Sequence, residues 1–320
     1  MLDVFFTVDV EIWCGGWKNI DEKFAEAFRR YIYGETPQGY YGLPYQLQLL
    51  TEHGVNGVFI VEPLFSGRFG LAPLQEIVGL IVDAAQEVQL HLHPEWVDEA
   101  TEPLWPRPII KTPRLQTFSL SEQRLLIMAA ARRIEEAGGG TVNSFRAGGF
   151  NFDTNSLLAL AACGIQFDSS YNASLSGTKS GVMPGSIVCE PLICNGVCEY
   201  PMTVFEDGTG SLRHVQLGAC SFREMEGLLW RAVELERKAF VILSHNFELL
   251  NTRRDRYDPI VLKRMLKLLS FFDRNRDCFR LRGFKNLEGT GSTKQPEPLV
   301  SPLWKTFHRM IEQASRLRYG

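Results

Sequence analysis

Six residues carry the chemistry this chain can offer: Asp9, Glu11, His91, His93, Arg146 and His245, each at or just beyond the end of a short apolar run. The runs are residues 4–8, 88–90, 142–145 and 240–243, each apolar enough to be a buried strand. Side chains alternate along a strand, so Asp9 and Glu11 share one face while Val10 takes the other, and His91 and His93 likewise point the same way. Two carboxylates beside two imidazoles suit a zinc-like divalent ion, and a catalytic ion needs about three protein ligands with one position left for water. His245 titrates near neutrality and is fitted to work as a general acid. Arg146 precedes Ala147-Gly148-Gly149-Phe150, and its guanidinium can hold a carboxylate in two parallel hydrogen bonds. A lone histidine or aspartate at any of these places reads as a satisfied core group or a cap. Four strand ends that carry complementary groups together point to a site.

Buried parallel strands with polar C-terminal ends are where α/β folds put their chemistry. The elements between the signatures alternate accordingly. Helices are expected over residues 43–52, 73–85, 119–137, 154–163, 221–238 and 259–272, the third and fifth opened by Ser119 with Glu122 and Ser221 with Glu224 at capping-box spacing. Residues 186–205 read as β hairpins. This rhythm calls for an α/β fold with a mainly parallel sheet, more in keeping with a barrel or distorted barrel than with an open sheet. Residues 94–113 hold Pro103, Pro106 and Pro108 and read as a long loop beside the site.

Composition narrows the function. The chain has 320 residues, 45% hydrophobic and 22% charged, with a net charge of −3, so no global field draws it to nucleic acid. Met1 to Phe6 lack a basic leader and no apolar stretch reaches the roughly 20 residues of a membrane helix, which places the expected compartment in the cytoplasm. The seven cysteines are expected as free thiols. Cys189, Cys194 and Cys198 match no zinc ribbon and read as small apolar residues. Residues 1–287 are expected as one domain, 288–300 as a Gly-, Ser-, Thr- and Pro-rich linker, and 301–320 as an amphipathic helix with Leu303, Phe307, Met310, Ala314 and Leu317 on one face. Such a helix could make peripheral contact with an anionic membrane surface. Docking of its apolar face on the chain's own barrel or on a second subunit is the expected fate, and the oligomeric state is left open.

These residues resemble the polysaccharide deacetylases of carbohydrate esterase family 4, the NodB-homology group, over roughly residues 1–285. Thr7-Val8-Asp9-Val10 stands at the first motif, Glu87 to His91 at the second, Arg146 to Phe150 at the third, and Leu243-Ser244-His245 at the last. Residues 49–61 and 163–170 are also similar to the family's connecting phrases. The resemblance implies a distorted (β/α)7 barrel and metal-dependent removal of an N-acetyl or O-acetyl group from a sugar. It implies Asp9 as the general base acting on metal-bound water, His245 as the acid that protonates the departing amine, and Arg146 as the group that orients Asp9. Two departures stand out. Val10 replaces the family's second aspartate, and Glu95 stands where its second histidine belongs. Glu11 and His93 are the expected substitutes, giving Glu11, His91 and His93 as ligands of one divalent ion, zinc first, with Glu95 in reserve. Trp13 and Trp96, with Gly148 and Phe150, are expected to meet the substrate, and Trp17 and Trp105 lie nearby. A small-molecule or lipid-linked acetylated sugar is the expected substrate. Two alternatives stand beside this: a hydrolase of a non-sugar amide or cyclic imide, and a non-catalytic glycan-binding member of the fold.

Overall fold

The computed structural model describes residues 1–105, 111–176, 182–183, 185–251 and 255–319. The chain forms two compact units, one of residues 1–57, 203–282 and 297–320, the other of residues 58–202 and 283–296. Pro106 and Pro108, and the side chains of Leu317 and Arg318, lie outside what is described.

In the first unit the strand Leu2–Val10 lies between Ala239–His245 and Phe279–Leu281, parallel to both. Every residue of Leu2–Val10 except Asp3 is buried, which is how a strand covered on both faces reads and why the run lacks alternation. The register sets Thr7 beside Leu243 and Asp9 beside His245. Two helices cover this strand group. Phe222–Glu234 is opened by the Ser221 and Glu224 capping box, and Pro259–Arg274 by Asp258, whose Oδ1 accepts from the amides of Ile260 and Val261.

In the second unit Gly57–Val61, Glu87–Leu92, Ser144–Ala147, Phe167–Asp168 and Val197–Glu199 run parallel in that order, and Leu192–Cys194 closes the edge antiparallel as a hairpin. The helices Ala72–Asp83, Leu120–Glu136 and Thr154–Ala162 follow their strands as the alternation predicts. The third motif differs from expectation. Its strand begins at Ser144 and runs through Arg146 to Ala147, while Gln89 Oε1 accepts from the amides of Asn143 and Ser144 at its start.

Two expectations about the C-terminal part change. Residues 288–300 do not run as a free linker: Gln295 Oε1 accepts from the amides of Cys189 and Glu190, and Cys198 Sγ donates to the Thr290 carbonyl. Leu299–Val300 then pairs in parallel with Val204–Glu206. Composition alone cannot see such partners, which come from far away in sequence. The helix Leu303–Tyr319 does dock on its own unit, but through its polar face. Arg309, 2% exposed, pairs with Asp207 at 2.7 Å and Glu224 at 3.1 Å, Glu312 with Arg264 at 2.8 Å, and Arg316 with Asp258 at 2.7 Å. All seven cysteines are free. Among the described residues no helix is long and apolar enough to cross a membrane.

Candidate active site

In the first unit the parallel register brings Asp9 and His245 abreast at the C-terminal ends of adjacent strands. Ligand atoms of Asp9, Glu11 and His245 all lie within 4.8 Å of one another. Asp9 and Glu11 are buried, at 3% and 8% exposure, and are held by a backbone clamp. Asn246 Oδ1 accepts from the Glu11 amide at 3.0 Å, while Asn246 Nδ2 donates to the carbonyls of Glu11 and Tyr31. Gln46 donates to the carbonyls of His245 and Asn246 and so fixes the other strand end. Trp13 Nε1 donates to Glu11 Oε2 at 2.6 Å, which orients that carboxylate.

His245 has a fourth neighbour that matters more. Its Nδ1 lies 2.8 Å from Glu248 Oε2, and Gln216 Nε2 donates to both oxygens of that carboxylate. The ring stacks on Phe247, with centroids 5.1 Å apart. Burial works to lower the His245 pKa, but the Glu248 hydrogen bond and charge, joined by the charges of Glu11 and Asp9, carry it up to about 9. The arrangement is an imidazolium with Nδ1 tied to a carboxylate and Nε2 directed elsewhere, beside a carboxylate capable of taking a proton.

In the second unit His91 sits opposite Arg146 in the parallel ladder, and its Nδ1 is 2.8 Å from the Arg146 carbonyl oxygen. A carbonyl only accepts, so Nδ1 carries the hydrogen, the same kind of oxygen contact that orients metal-ligating imidazoles. His93 repeats the pattern with Glu95: Nδ1 lies 3.3 Å from Glu95 Oε2. This contact lets Glu95 orient the His93 ring. The two rings are 4.8 Å apart and nearly perpendicular. Gly148 is required here by space, since a Cβ at that position would stand 2.6 Å from the His93 ring. Glu62 accepts from the backbone amides of His93 and Leu64, tying two strand ends together. Burial drives its carboxyl up to about 8 against the lowering effect of His93 and those amides.

Arg146 is wholly buried and donates from Nε to the Ser169 carbonyl and from Nη2 to Ser169 Oγ, both at 3.0 Å. Asp168 and Glu199 lie close by and share a hydrogen bond. Burial raises both, Glu199 well above its ordinary value, and the nearness of the two carboxyls adds to the rise of Glu199.

The aromatic expectations divide. Trp13 is partly exposed and meets Trp17 edge to face at 6.2 Å. Trp96 is 2% exposed and packed edge to face against Phe65 and Phe69, so it offers no open ring face to a sugar and is a core residue. Phe150 is partly exposed with φ of 59°, a left-handed backbone rare for a bulky side chain. Glu248, Asn246, Glu62 and Gln46 were not singled out by sequence reasoning. Glu248 had a signal, its place three residues after His245. Glu62 and Gln46 had none, because their partners lie 31 and about 200 residues away.

No known family profile matches the chain, and no curated protein does. Solved structures do resemble it. A Mycobacterium smegmatis protein assigned to the polysaccharide deacetylases superposes with a TM-score of 0.53 at 19% identity, over 92% of this chain and 94% of that one. A 4-alpha-glucanotransferase from Thermococcus litoralis gives 0.52 at 10% identity, over 89% of this chain and 40% of that one. A family 4 carbohydrate esterase from Streptomyces lividans in complex with acetate gives 0.44 at 14% identity, over 92% of this chain and 97% of that one. The likeness to the Mycobacterium protein shows the fold, an α/β fold of the polysaccharide deacetylase barrel type, as the sequence led us to expect.

Proposed function

We propose that this chain is a metal-dependent hydrolase that removes an acetyl group, N-linked in the first instance, from a small-molecule or lipid-linked sugar in the cytoplasm. The observation that carries the reading is the pairing of Asp9 with His245, the latter held as an imidazolium by Glu248. A base and an acid abreast on neighbouring strands can act on opposite ends of one scissile bond.

The residues fit an ion. His91 and His93 each have Nδ1 engaged by an oxygen that orients the ring, the Trp13 indole orients the Glu11 carboxylate, and imidazoles with a carboxylate are the donor set a zinc-like ion takes. We assign Glu11, His91 and His93 as ligands of one divalent ion, zinc first. When bound, the ion would polarise the acetyl carbonyl and lower the pKa of the attacking water. Asp9 accepts the proton of that water as its oxygen attacks the carbonyl carbon. As the carbon–nitrogen bond breaks, His245 passes its Nε2 proton to the departing amine, and Glu248 keeps the imidazole oriented through Nδ1. Arg146 acts on Asp9 as a positioning residue. Trp13, Gly148 and Phe150 would line the acetyl end.

Val10, buried and apolar where the family places a ligand, favours a second reading: hydrolysis of a non-sugar amide or cyclic imide on the same fold. The test is acetate release by the purified protein from a panel of N-acetylated sugars, with metal content measured alongside. The first reading requires a bound divalent ion and acetate release that chelation and Asp9→Asn both abolish. Amide turnover without acetate would replace it with the second. Absence of both ion and turnover would overturn both.

A further inference from the structure

The C-terminal helix Leu303–Tyr319 is amphipathic in an inverted sense. Its charged side is turned into its own unit, where Arg309, Glu312 and Arg316 each meet an opposite charge. Thr306 Oγ1 accepts from the Gly208 amide, and Gln313 Nε2 donates to the Ala219 carbonyl. Five large apolar side chains on the other side face outward: Leu303 at 62% exposure, Trp304 at 57%, Phe307 at 63%, Met310 at 45% and Ile311 at 52%. Rotating the helix to bury them would strip Arg309 from two buried carboxylates, so the outward orientation is fixed by buried charge.

Beside this apolar strip runs a groove of about 420 Å³ between the helix and the two helices it docks on. Arg223, Lys263, Lys267 and His308 line it together with Ile311. Arg223, Lys263 and Lys267 are exposed. The acidic residue among its lining, Glu312, is already paired with Arg264. An apolar strip with a tryptophan at one edge and a cationic rim is the surface that lies in a membrane interface: the apolar side chains enter the acyl boundary and the cations meet headgroup phosphates.

We propose that this face docks the protein on an anionic lipid bilayer. A second copy meeting it about a two-fold axis would bring the same cationic rim up to itself, whereas an anionic leaflet supplies the complementary charge. The inference stands apart from the reaction, since no residue of the candidate active site takes part.

The full chain is sedimented with vesicles of phosphatidylcholine alone and of phosphatidylcholine with phosphatidylglycerol. It should pellet with the second and not the first, less so as salt rises. Phe307→Ser with Ile311→Ser, both on exposed side chains, should lower the bound fraction by tenfold or more. Lys263→Glu with Lys267→Glu should weaken binding by about fivefold or more per lysine. Unchanged thermal melting of both variants shows that the fold is intact. Failure of the wild-type chain to pellet with either vesicle overturns the proposal. So does equal pelleting with both, or a dimer that the Phe307→Ser, Ile311→Ser variant dissolves while vesicle binding is absent.

Discussion

Glu248→Gln is the substitution that most sharply tests how His245 works. Glutamine keeps the size and an oxygen for the Nδ1 hydrogen but removes the charge. His245 stands at about 9 against an ordinary value near 6.5, so the folded site favours the imidazolium by about (9 − 6.5) × 1.36, or roughly 3 kcal/mol. Charge-assisted hydrogen bonding to one carboxylate contributes about 1.5 to 3 kcal/mol, which is one to two pH units. The charges of Glu11 and Asp9 supply the rest. A general acid must hold its proton, so activity on a raised His245 persists below about 9 and is lost as pH rises through it. In Glu248→Gln that alkaline limb should fall by roughly one to two units. Acetate release near pH 6 should change little, while near pH 8.5 it should drop by roughly three- to twenty-five-fold. A bound divalent ion would lower the His245 pKa in both proteins, leaving the difference between them. The assays are a pH–rate profile and an NMR titration of the histidine ring. The same linkage gives a stability term: the roughly 3 kcal/mol is present below about 6.5 and lost as pH rises through about 9, so Glu248→Gln should flatten the alkaline decline in thermal melting. An alkaline limb that stays in place, with an unshifted ring titration, would refute the role assigned to Glu248.

Gly148→Ala should displace the His93 ring, since the added Cβ would lie 2.6 Å from it. Divalent-ion affinity should fall on the order of ten- to a hundredfold at unchanged melting, and calorimetry giving equal affinities would count against His93 as a ligand. Trp96→Ala should cost about 3 to 5 kcal/mol of stability as a core truncation, while Trp96→Phe should leave KM for any sugar unchanged; a large rise in KM would restore Trp96 to the substrate. Asp207 is held down to about 2, where burial, which raises it, is outweighed by hydrogen bonds from Thr209 and Arg309. Its contribution, about 1 kcal/mol after solvent screening, is therefore present above about 3.8 and lost as pH falls toward 2. Acid should loosen the C-terminal helix, seen as faster amide exchange between Leu303 and Tyr319, and Asp207→Asn should show that looseness already at pH 6.

Much of the fold is visible in the chain because local signals agree with the global ones. Residues 4–8, apolar but for Thr7, and residues 240–243 lack polar alternation, and such runs belong to strands covered on both faces, the condition met by Leu2–Val10. Ser119 with Glu122 and Ser221 with Glu224 mark helix starts through short-range hydrogen bonds, and both capping boxes form. The candidate site is visible for the same reason, since Asp9 and His245 each end a strand, and parallel pairing of strand ends sets them side by side. What is hidden depends on partners remote in sequence. Gln46 reaches His245 across 199 residues, and Glu62 reaches the amide of His93 across 31, with no local pattern to announce either.

The C-terminal helix shows where the periodicity argument itself fails. Its apolar stripe predicts an apolar face turned inward, on the assumption that the opposite face has nothing better than water to meet. Here the opposite face meets Asp207, Glu224 and Asp258, carboxylates presented by a turn, a capping box and a helix N-cap that are already needed to end or begin other elements. Asp258 and Glu224 are fixed in place by the amides they cap, so an arginine docking on them loses less freedom than it would in forming a free surface pair. Burying Arg309 against two such carboxylates settles which side of the helix faces the protein, and the five apolar side chains are then exposed as a consequence. Local capping chemistry, read only as a marker of helix ends, therefore decides the orientation of a helix whose Arg309 lies 85 residues downstream of Glu224.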